Sequence, residues 1–288
     1  MGASRPEGQR PSAPPDKKNI RMNHFLDIHK TDKDDLRSII DAAKAIKDKR
    51  NGRPRAAPDD DLPLKDRMVA LIFEKPSTRT RVSFDVGVRQ MGGQTMVLSG
   101  SDMQLGHGET IADTARVLSR FVDMIMIRTF DESVLEEMAE YASVPVINLE
   151  SVFEHPCQAI ADLMTMRENL RDLRGRKLTV AWSNHPEPRG LGPSHSIVTM
   201  AAMAGMSITV AHPLGFELDE KVMDRAAGLA AESGGSVQVS NELDTGAADA
   251  EVLYARSWGG IPYWGDDERE AMVKRSLQDW RIDTDVMA

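Results

Sequence analysis

The chain has 288 residues, a length that predicts two domains, each large enough to bury its own hydrophobic core. Its formal net charge of -9 argues against a general role in binding nucleic acid or a membrane surface, so an anionic ligand would need a local site. The single cysteine cannot form an intramolecular disulfide, which fits a reducing compartment, and we expect a cytoplasmic protein.

The first 21 residues, "MGASRPEGQRPSAPPDKKNIR", are rich in proline, glycine and charge and lack the apolar core of a signal peptide. We expect a disordered tail over residues 1–21, with the folded chain beginning near Met22. No apolar stretch reaches the roughly 20 residues that a membrane span needs, so we expect no membrane association.

Apolar runs and helical segments then alternate along the chain. After a helix at 36–50, strands are predicted at 68–73, 95–99, 124–129 and 144–149, with helices at 80–91, 109–122, 132–142 and 156–170. The charged segment "RDLRGRK" then predicts a boundary between a first domain, 22–170, and a second domain, 171–288. Further strands are predicted at 178–183, 207–212, 236–240 and 251–258, and further helices at 194–205, 219–233 and 267–280.

Short apolar strands that alternate with helices predict parallel sheets covered on both faces. The fold class is therefore α/β, with two tandem doubly wound parallel-sheet domains. We expect the active site in the cleft between them, at the carboxyl ends of the strands.

The segment "FEKPSTRTRVSF", residues 73–84, concentrates positive charge where the first predicted strand leads into a helix. A helix N-terminus offers free N–H groups to an anion, Ser77 and Thr78 add hydroxyl donors, and arginines bind oxygens in bidentate geometry. These features predict an anion site. The alternative is an N-capped helix with the surface arginines Arg79 and Arg81, and charge and spacing alone do not decide between the two.

Other polar residues follow later strands of the first domain. Arg128 ends "MIMIR", while His155 and Gln158 begin a helix in "FEHPCQ". Each has a common alternative role, as a solvated charge or a helix cap. Cys157 is interpreted as a packing residue, since a zinc site needs more ligands than the sequence gathers nearby, and no metal site is predicted.

Taken together, "STRTR", "RTF" and "HPCQ" resemble the signature segments of the aspartate/ornithine carbamoyltransferase family. The segment "SDMQLGHGETIADTARVLSRF" is similar to the ornithine branch, and the resemblance extends from about Met22 to the end of the chain. It implies an enzyme that transfers a carbamoyl group from carbamoyl phosphate without a cofactor. It also implies a homotrimer whose active sites are shared between subunits.

The resemblance assigns roles to particular residues. It implies that the phosphate is bound by Ser77, Thr78, Arg79, Thr80 and Arg128, and the carbamoyl group by Thr80, Arg128, His155 and Gln158. Of these, Arg128, His155 and Gln158 are the candidate catalytic residues, and Gln104 resembles a residue that reaches a neighbouring subunit's site. Such a site would orient an amine towards an activated carbonyl and neutralise the departing phosphate.

The acceptor is expected to bind the second domain. The segments "AWSNHPEPRGLGPSHS" and "YARSWGGIPYWG" lack the Asp and the Ser-Met-Gly loop of ornithine enzymes and look like N-acetylornithine carbamoyltransferase. This resemblance implies transfer to the δ-amino group of N-acetyl-L-ornithine, in arginine biosynthesis. It makes Glu150, Arg256 and Trp258 candidate acceptor contacts.

Two alternatives to this function stay open. The chain could be a divergent L-ornithine carbamoyltransferase that makes citrulline, in which Arg256 and Trp258 are loop and packing residues. It could also be a non-catalytic homologue that binds carbamoyl phosphate, because "DTDVMA" ends before the His-Cys-Leu-Pro segment of the ornithine and acetylornithine enzymes. From that ending we expect a C-terminally truncated chain that binds carbamoyl phosphate but turns over poorly.

Overall fold

The computed structural model describes residues 24–100, 108–187 and 189–287. The predicted disordered tail and Gln104 lie outside these ranges. None of the described helices combines the length and hydropathy that crossing a membrane requires.

Two parallel sheets organise the described chain. The first contains β1 (Met68–Phe73), β2 (Gln94–Ser99), β3 (Met124–Arg128) and β4 (Val146–Glu150), in the order β2-β1-β3-β4. The second contains β5 (Lys177–Trp182), β6 (Ser207–Ala211), β7 (Ser236–Ser240) and β8 (Val252–Arg256), in the order β7-β6-β5-β8.

Helices connect these strands. The first half contains α1 (Lys33–Lys49), α2 (Thr78–Gln90), α3 (Ile111–Leu118), α4 (Glu132–Tyr141) and α5 (Pro156–Leu170). The second half contains α6 (Gly192–Met203), α7 (Glu220–Ser233), α8 (Leu243–Ala247), a 3-10 turn (Ile261–Tyr263) and α9 (Asp267–Arg275). The predicted elements are confirmed with end shifts of a few residues, whereas α8 and the 3-10 turn were not predicted.

Local chemistry explains several helix ends. The Asp32 side chain accepts hydrogen bonds from the N–H groups of Asp34 and Asp35 and so caps α1. Pro156 occupies the first position of α5, where its missing N–H costs nothing. Gly234 ends α7 with φ 81°, in the left-handed region that glycine adopts without a steric penalty.

Both sheets bury apolar side chains on both faces, as the doubly wound prediction requires. Along β1, Ala70 and Ile72 join one cluster of the first sheet, while Val69 and Leu71 join the cluster on the opposite face. In the second sheet, β5 likewise divides its side chains, and Ala181 packs against the short helix α8. The α/β fold with two tandem parallel-sheet domains is confirmed.

The helix α5 connects the two sheets. Its buried residues Ile160 and Leu163 belong to the same hydrophobic cluster as Leu178 and Val180 of β5. The α1 residue Leu36 joins this cluster as well. Consequently α5 leads from the end of β4 into a core that it shares with the second sheet.

Candidate functional site

The strand order of each sheet creates one position where neighbouring connections run in opposite directions. In the first sheet this position lies between β1 and β3, where Phe73 pairs with Arg128. In the second it lies between β5 and β8, where Trp182 pairs with Arg256. Ligands of doubly wound sheets bind at such positions, beyond the carboxyl ends of the strands. Both sheets therefore place an arginine at the expected ligand site.

The α2 N-terminus lies beside Arg128. Arg128 Nη1 donates a hydrogen bond to Thr80 Oγ1 at 3.1 Å, and the charge of Arg79 acts on the Arg128 guanidinium. Ser77 occupies the N-cap position, but its side chain makes no capping hydrogen bond. The first N–H groups of α2, which include that of Thr78, have no partner within the helix by geometry, so this helix end can receive an anion.

Arg128 and Glu150 form a largely buried ion pair. The distance from Arg128 Nη1 to Glu150 Oε2 is 2.5 Å, and His155 Nε2 lies 3.6 Å from the same oxygen. Glu150 ends β4, the neighbour of β3, and the sheet register shifts between Ile127 and Arg128 where the two ends meet. Arg128 Nε is buried and has no hydrogen-bond partner within the described residues.

His155 is a neutral imidazole at physiological pH. Burial lowers its pKa to about 3, and the cationic groups of Arg128, Arg256 and Lys75 act in the same direction. The nearby Glu150 carboxylate does not reverse this effect. Because Nδ1 is buried without a partner in the described chain, the ring has hydrogen-bonding capacity that the protein leaves unused.

The segment that follows His155 opens α5. Gln158 is exposed, and its Nε2 donates a hydrogen bond to Asp162 Oδ1 at 2.9 Å. Cys157 packs against the core of the first sheet, its Sγ lies 3.4 Å from Asn148 O, and burial raises the pKa of its thiol to about 12. An un-ionised, packed thiol agrees with the packing role predicted for Cys157.

Arg256 brings a cation from the second sheet to the same region. Its charge acts on both Arg128 and His155, its Nε is buried without a partner, and no carboxylate of the described residues lies within ion-pair distance. The two switch-point arginines are therefore close enough for their charges to repel one another.

Trp258 differs from the acceptor contact that the resemblance implies. Its side chain is fully buried, and its indole N–H donates to Phe216 O at 2.8 Å. Its own carbonyl accepts from Trp182 Nε1 at 2.9 Å. The ring of Trp258 is buried in the core of the second domain and its indole N–H already has a partner. In this structure the side chain therefore has no exposed face that could contact a ligand.

Sequence reasoning missed several polar residues beside the site. Ser196 Oγ accepts from His155 N at 2.8 Å and donates to the buried carboxylate of Glu154. Asp162 accepts from Gln158 and, at 3.1 Å, from the hydroxyl of Tyr254. The spacing of four residues between Gln158 and Asp162 on a helix was a usable signal, whereas the contacts with Ser196 and Tyr254 arise only from the tertiary fold.

The assembled site contains four cationic side chains, Lys75, Arg79, Arg128 and Arg256, around the carboxylate of Glu150 and the neutral imidazole of His155. Such an arrangement can bind an anion and can polarise a carbonyl group. Within the described ranges no three His, Cys, Asp or Glu side chains are grouped to hold a metal ion.

Comparisons with known proteins agree on one family. Residues 23–168 match the family model for the aspartate/ornithine carbamoyltransferase carbamoyl-P binding domain, and residues 193–288 match that for the Asp/Orn binding domain. The ornithine carbamoyltransferase of Ruegeria pomeroyi is 53% identical over 268 residues, covering 92% of this chain and 82% of that protein. The ornithine carbamoyltransferase of Roseobacter denitrificans is 52% identical over 269 residues, covering 93% and 83%.

Solved structures give the same family. An acetylornithine transcarbamylase complexed with acetylcitrulline is 35% identical with a TM-score of 0.84, over 92% of this chain and 84% of that one. An N-acetyl-L-ornithine transcarbamylase is 36% identical with a TM-score of 0.83, over 92% and 84%. The chain therefore belongs to the aspartate/ornithine carbamoyltransferase family, in its ornithine/N-acetylornithine branch, and is a carbamoyltransferase.

Proposed function

We propose that this carbamoyltransferase moves the carbamoyl group of carbamoyl phosphate to the δ-amino group of N-acetyl-L-ornithine. The observation that carries this proposal is the charge of the cleft. Four cations converge there, and Arg256 of the second sheet has no carboxylate partner among the described residues. L-Ornithine brings two ammonium groups at neutral pH, whereas its N-acetyl derivative brings one, so the derivative meets less repulsion.

In this proposal the phosphate binds at the start of α2. Arg79 and Arg128 contribute charge-assisted hydrogen bonds, and Ser77, Thr78 and Thr80 contribute hydroxyl and backbone N–H donors. This position also neutralises the charge that develops as phosphate departs.

The carbamoyl group then lies near His155 and Gln158. The lone pair of the neutral δ-amine forms a C–N bond to the carbonyl carbon. The C–O bond to phosphate breaks, its electron pair stays on the phosphate oxygen, and the departing phosphate takes up the proton that the amine loses. A neutral His155 hydrogen-bonds the carbamoyl oxygen without introducing a further charge. Glu150, between Arg128 and His155, is the carboxylate that an incoming amine can meet.

The named relatives divide between the two acceptors. Solved structures at 35% identity carry the name acetylornithine transcarbamylase, which supports the N-acetylated acceptor. Relatives at 53% identity carry the name ornithine carbamoyltransferase, which supports free L-ornithine as a second candidate. The homotrimer, with Gln104 reaching a neighbouring site, stays a prediction from the family resemblance.

A competition assay tests the acceptor. The protein receives carbamoyl phosphate with equal concentrations of L-ornithine and N-acetyl-L-ornithine, and mass spectrometry quantifies citrulline and N-acetylcitrulline, with Arg128→Ala as the blank. We expect N-acetylcitrulline to predominate, and faster formation of citrulline would overturn the acceptor. Calorimetry can also compare the binding of norvaline and N-acetylnorvaline, which lack the reacting δ-amine. This comparison measures the acceptor preference without depending on turnover.

A further inference from the structure

Asp162 receives two hydrogen bonds that join the two halves of the cleft. Gln158 Nε2 donates to Asp162 Oδ1 at 2.9 Å from one helical turn away. The Tyr254 hydroxyl, from β8 of the second sheet, donates to Asp162 Oδ2 at 3.1 Å. Asp162 is thus the shared acceptor of a first-domain side chain and a second-domain side chain.

These bonds determine which end of the Gln158 amide meets the cleft. A carboxylate only accepts hydrogen bonds, so the amide nitrogen lies towards Asp162 and the amide oxygen lies on the opposite side. The Gln158 side chain is exposed, and within the described residues its Oε1 receives no hydrogen bond from the protein. The amide therefore keeps a free acceptor atom in the first turn of α5, the helix that His155 caps.

We propose that Asp162 is a positioning residue that fixes the Gln158 amide so that the site selects a carbamoyl group over an acetyl group. This inference rests on the proposed function, in which Gln158 addresses the carbamoyl group. A carbamoyl group carries an NH2 that donates to the Gln158 oxygen. Acetyl phosphate has nearly the same shape but carries a methyl group in that place, so the amide oxygen loses its partner.

The surroundings of Asp162 support this role. Tyr254 and Arg256 are two residues apart on β8, and both side chains therefore lie on one face of the sheet. Burial raises the pKa of the Asp162 carboxyl, and the hydrogen bonds from Gln158 and Tyr254, with the charge of Arg256, oppose that rise by stabilising the charged, accepting form. Burial, with the neighbouring charge of Asp162, raises the pKa of the Tyr254 hydroxyl well above its usual value, so this group stays a donor at physiological pH.

Titration with two acyl phosphates tests the proposal. Calorimetry measures the dissociation constants of carbamoyl phosphate and acetyl phosphate for the wild type, for Asp162→Asn and for Glu168→Gln. An asparagine can donate or accept, so it no longer fixes the amide. Glu168 is on the same helix and pairs with Lys47 at 2.6 Å, so its variant removes an equal charge away from the cleft.

We expect the wild type to prefer carbamoyl phosphate, and the ratio of the two constants to fall about 10-fold in Asp162→Asn and to stay unchanged in Glu168→Gln. Inorganic phosphate should bind the wild type and Asp162→Asn equally, because the phosphate ligands are intact. If Asp162 contributes only to stability, Asp162→Asn should change the thermal unfolding temperature and leave the ratio of the two dissociation constants unchanged.

Each outcome bears on one claim. Failure of the wild type to bind either acyl phosphate would overturn the proposed function itself. If Asp162→Asn still prefers carbamoyl phosphate and still binds inorganic phosphate, only the role of Asp162 is overturned. If Asp162→Asn does not fold, the same titrations are carried out with Tyr254→Phe, which lacks the hydrogen bond from Tyr254 to Asp162. Its ratio should fall about 3-fold, and an unchanged ratio in that folded variant would overturn the role as well.

Discussion

Arg128 is shared between Glu150 and the start of α2, because its Nη1 lies 2.5 Å from Glu150 Oε2 and also donates to Thr80 Oγ1 at 3.1 Å. A phosphate that binds at α2 must therefore share this guanidinium with a resident carboxylate. The ion pair keeps Arg128 oriented, but its negative charge opposes an incoming anion.

Glu150→Gln should tighten the binding of inorganic phosphate. Glutamine keeps the shape of the side chain and removes the opposing charge, so we expect an affinity gain of about 3- to 10-fold at low salt. Calorimetric titration measures it, with Glu136→Gln as a control because Glu136 is exposed on α4. Weaker binding in Glu150→Gln would mean that the orientation of Arg128 matters more than the repulsion.

Arg79→Ala should weaken carbamoyl phosphate binding by roughly 10- to 100-fold, because it removes a charge-assisted contact from the helix start. Arg81→Ala is the matched control, since that arginine is exposed two positions further on and interacts with Asp85. Titrations of both variants at two salt concentrations give the comparison. Equal losses in the two variants would point to general attraction by a basic surface rather than to a ligand at Arg79.

The sequence predicted the position of the cleft well because the cleft follows from backbone topology. Strand runs such as "MVALIF" are nearly all buried, and the residue after each run marks a carboxyl end, so Arg128 was located before any contact was known. The role of Trp258 was not predictable in the same way. Its residue type suits a binding surface or a core equally, and only tertiary packing places it in the core.

The polar network behind the site was also beyond the sequence. Ser196 meets His155 N across 41 residues of chain, and Tyr254 meets Asp162 across 92. Contacts at such separations leave no periodic signal in the sequence, because they depend on how α5 packs against α6 and against the second sheet.

His155 should remain neutral throughout the pH range in which the protein is studied. Its pKa lies near 3, below the value of 6.5 for an exposed histidine. Histidine NMR should therefore show no titration of the His155 signal between pH 5 and 8, with the signal assigned by its loss in His155→Gln. The depressed pKa adds stability that is complete above pH 6.5 and is lost as the pH falls towards 3. A midpoint near 6.5 would contradict the burial and the cationic surroundings of this ring.

Glu154 should make the stability of the protein depend on pH in the opposite direction. Burial raises the pKa of this carboxyl from 4.5 to about 7, the hydrogen bond from Ser196 and the charge of Arg225 lower it, and Asp27 and Glu132 raise it. The folded state therefore favours the protonated acid. Its contribution to stability is complete below pH 4.5 and is lost as the pH rises through 7.

Glu154→Gln removes the ionisation while keeping an oxygen that can accept from Ser196. Relative to the wild type, the variant should gain free energy of unfolding as the pH rises from 5 to 8, by on the order of 2 to 3 kcal/mol. Thermal and denaturant unfolding at several pH values measure this difference, with the exposed Glu136→Gln as the control. Because other groups titrate equally in the wild type and the variant, the difference between the two curves isolates Glu154. Parallel curves from pH 5 to 8 would show that the Glu154 carboxyl is already ionised in the folded protein. The Ser196 hydroxyl, which accepts from His155 N, would then donate to a charged carboxylate throughout this pH range.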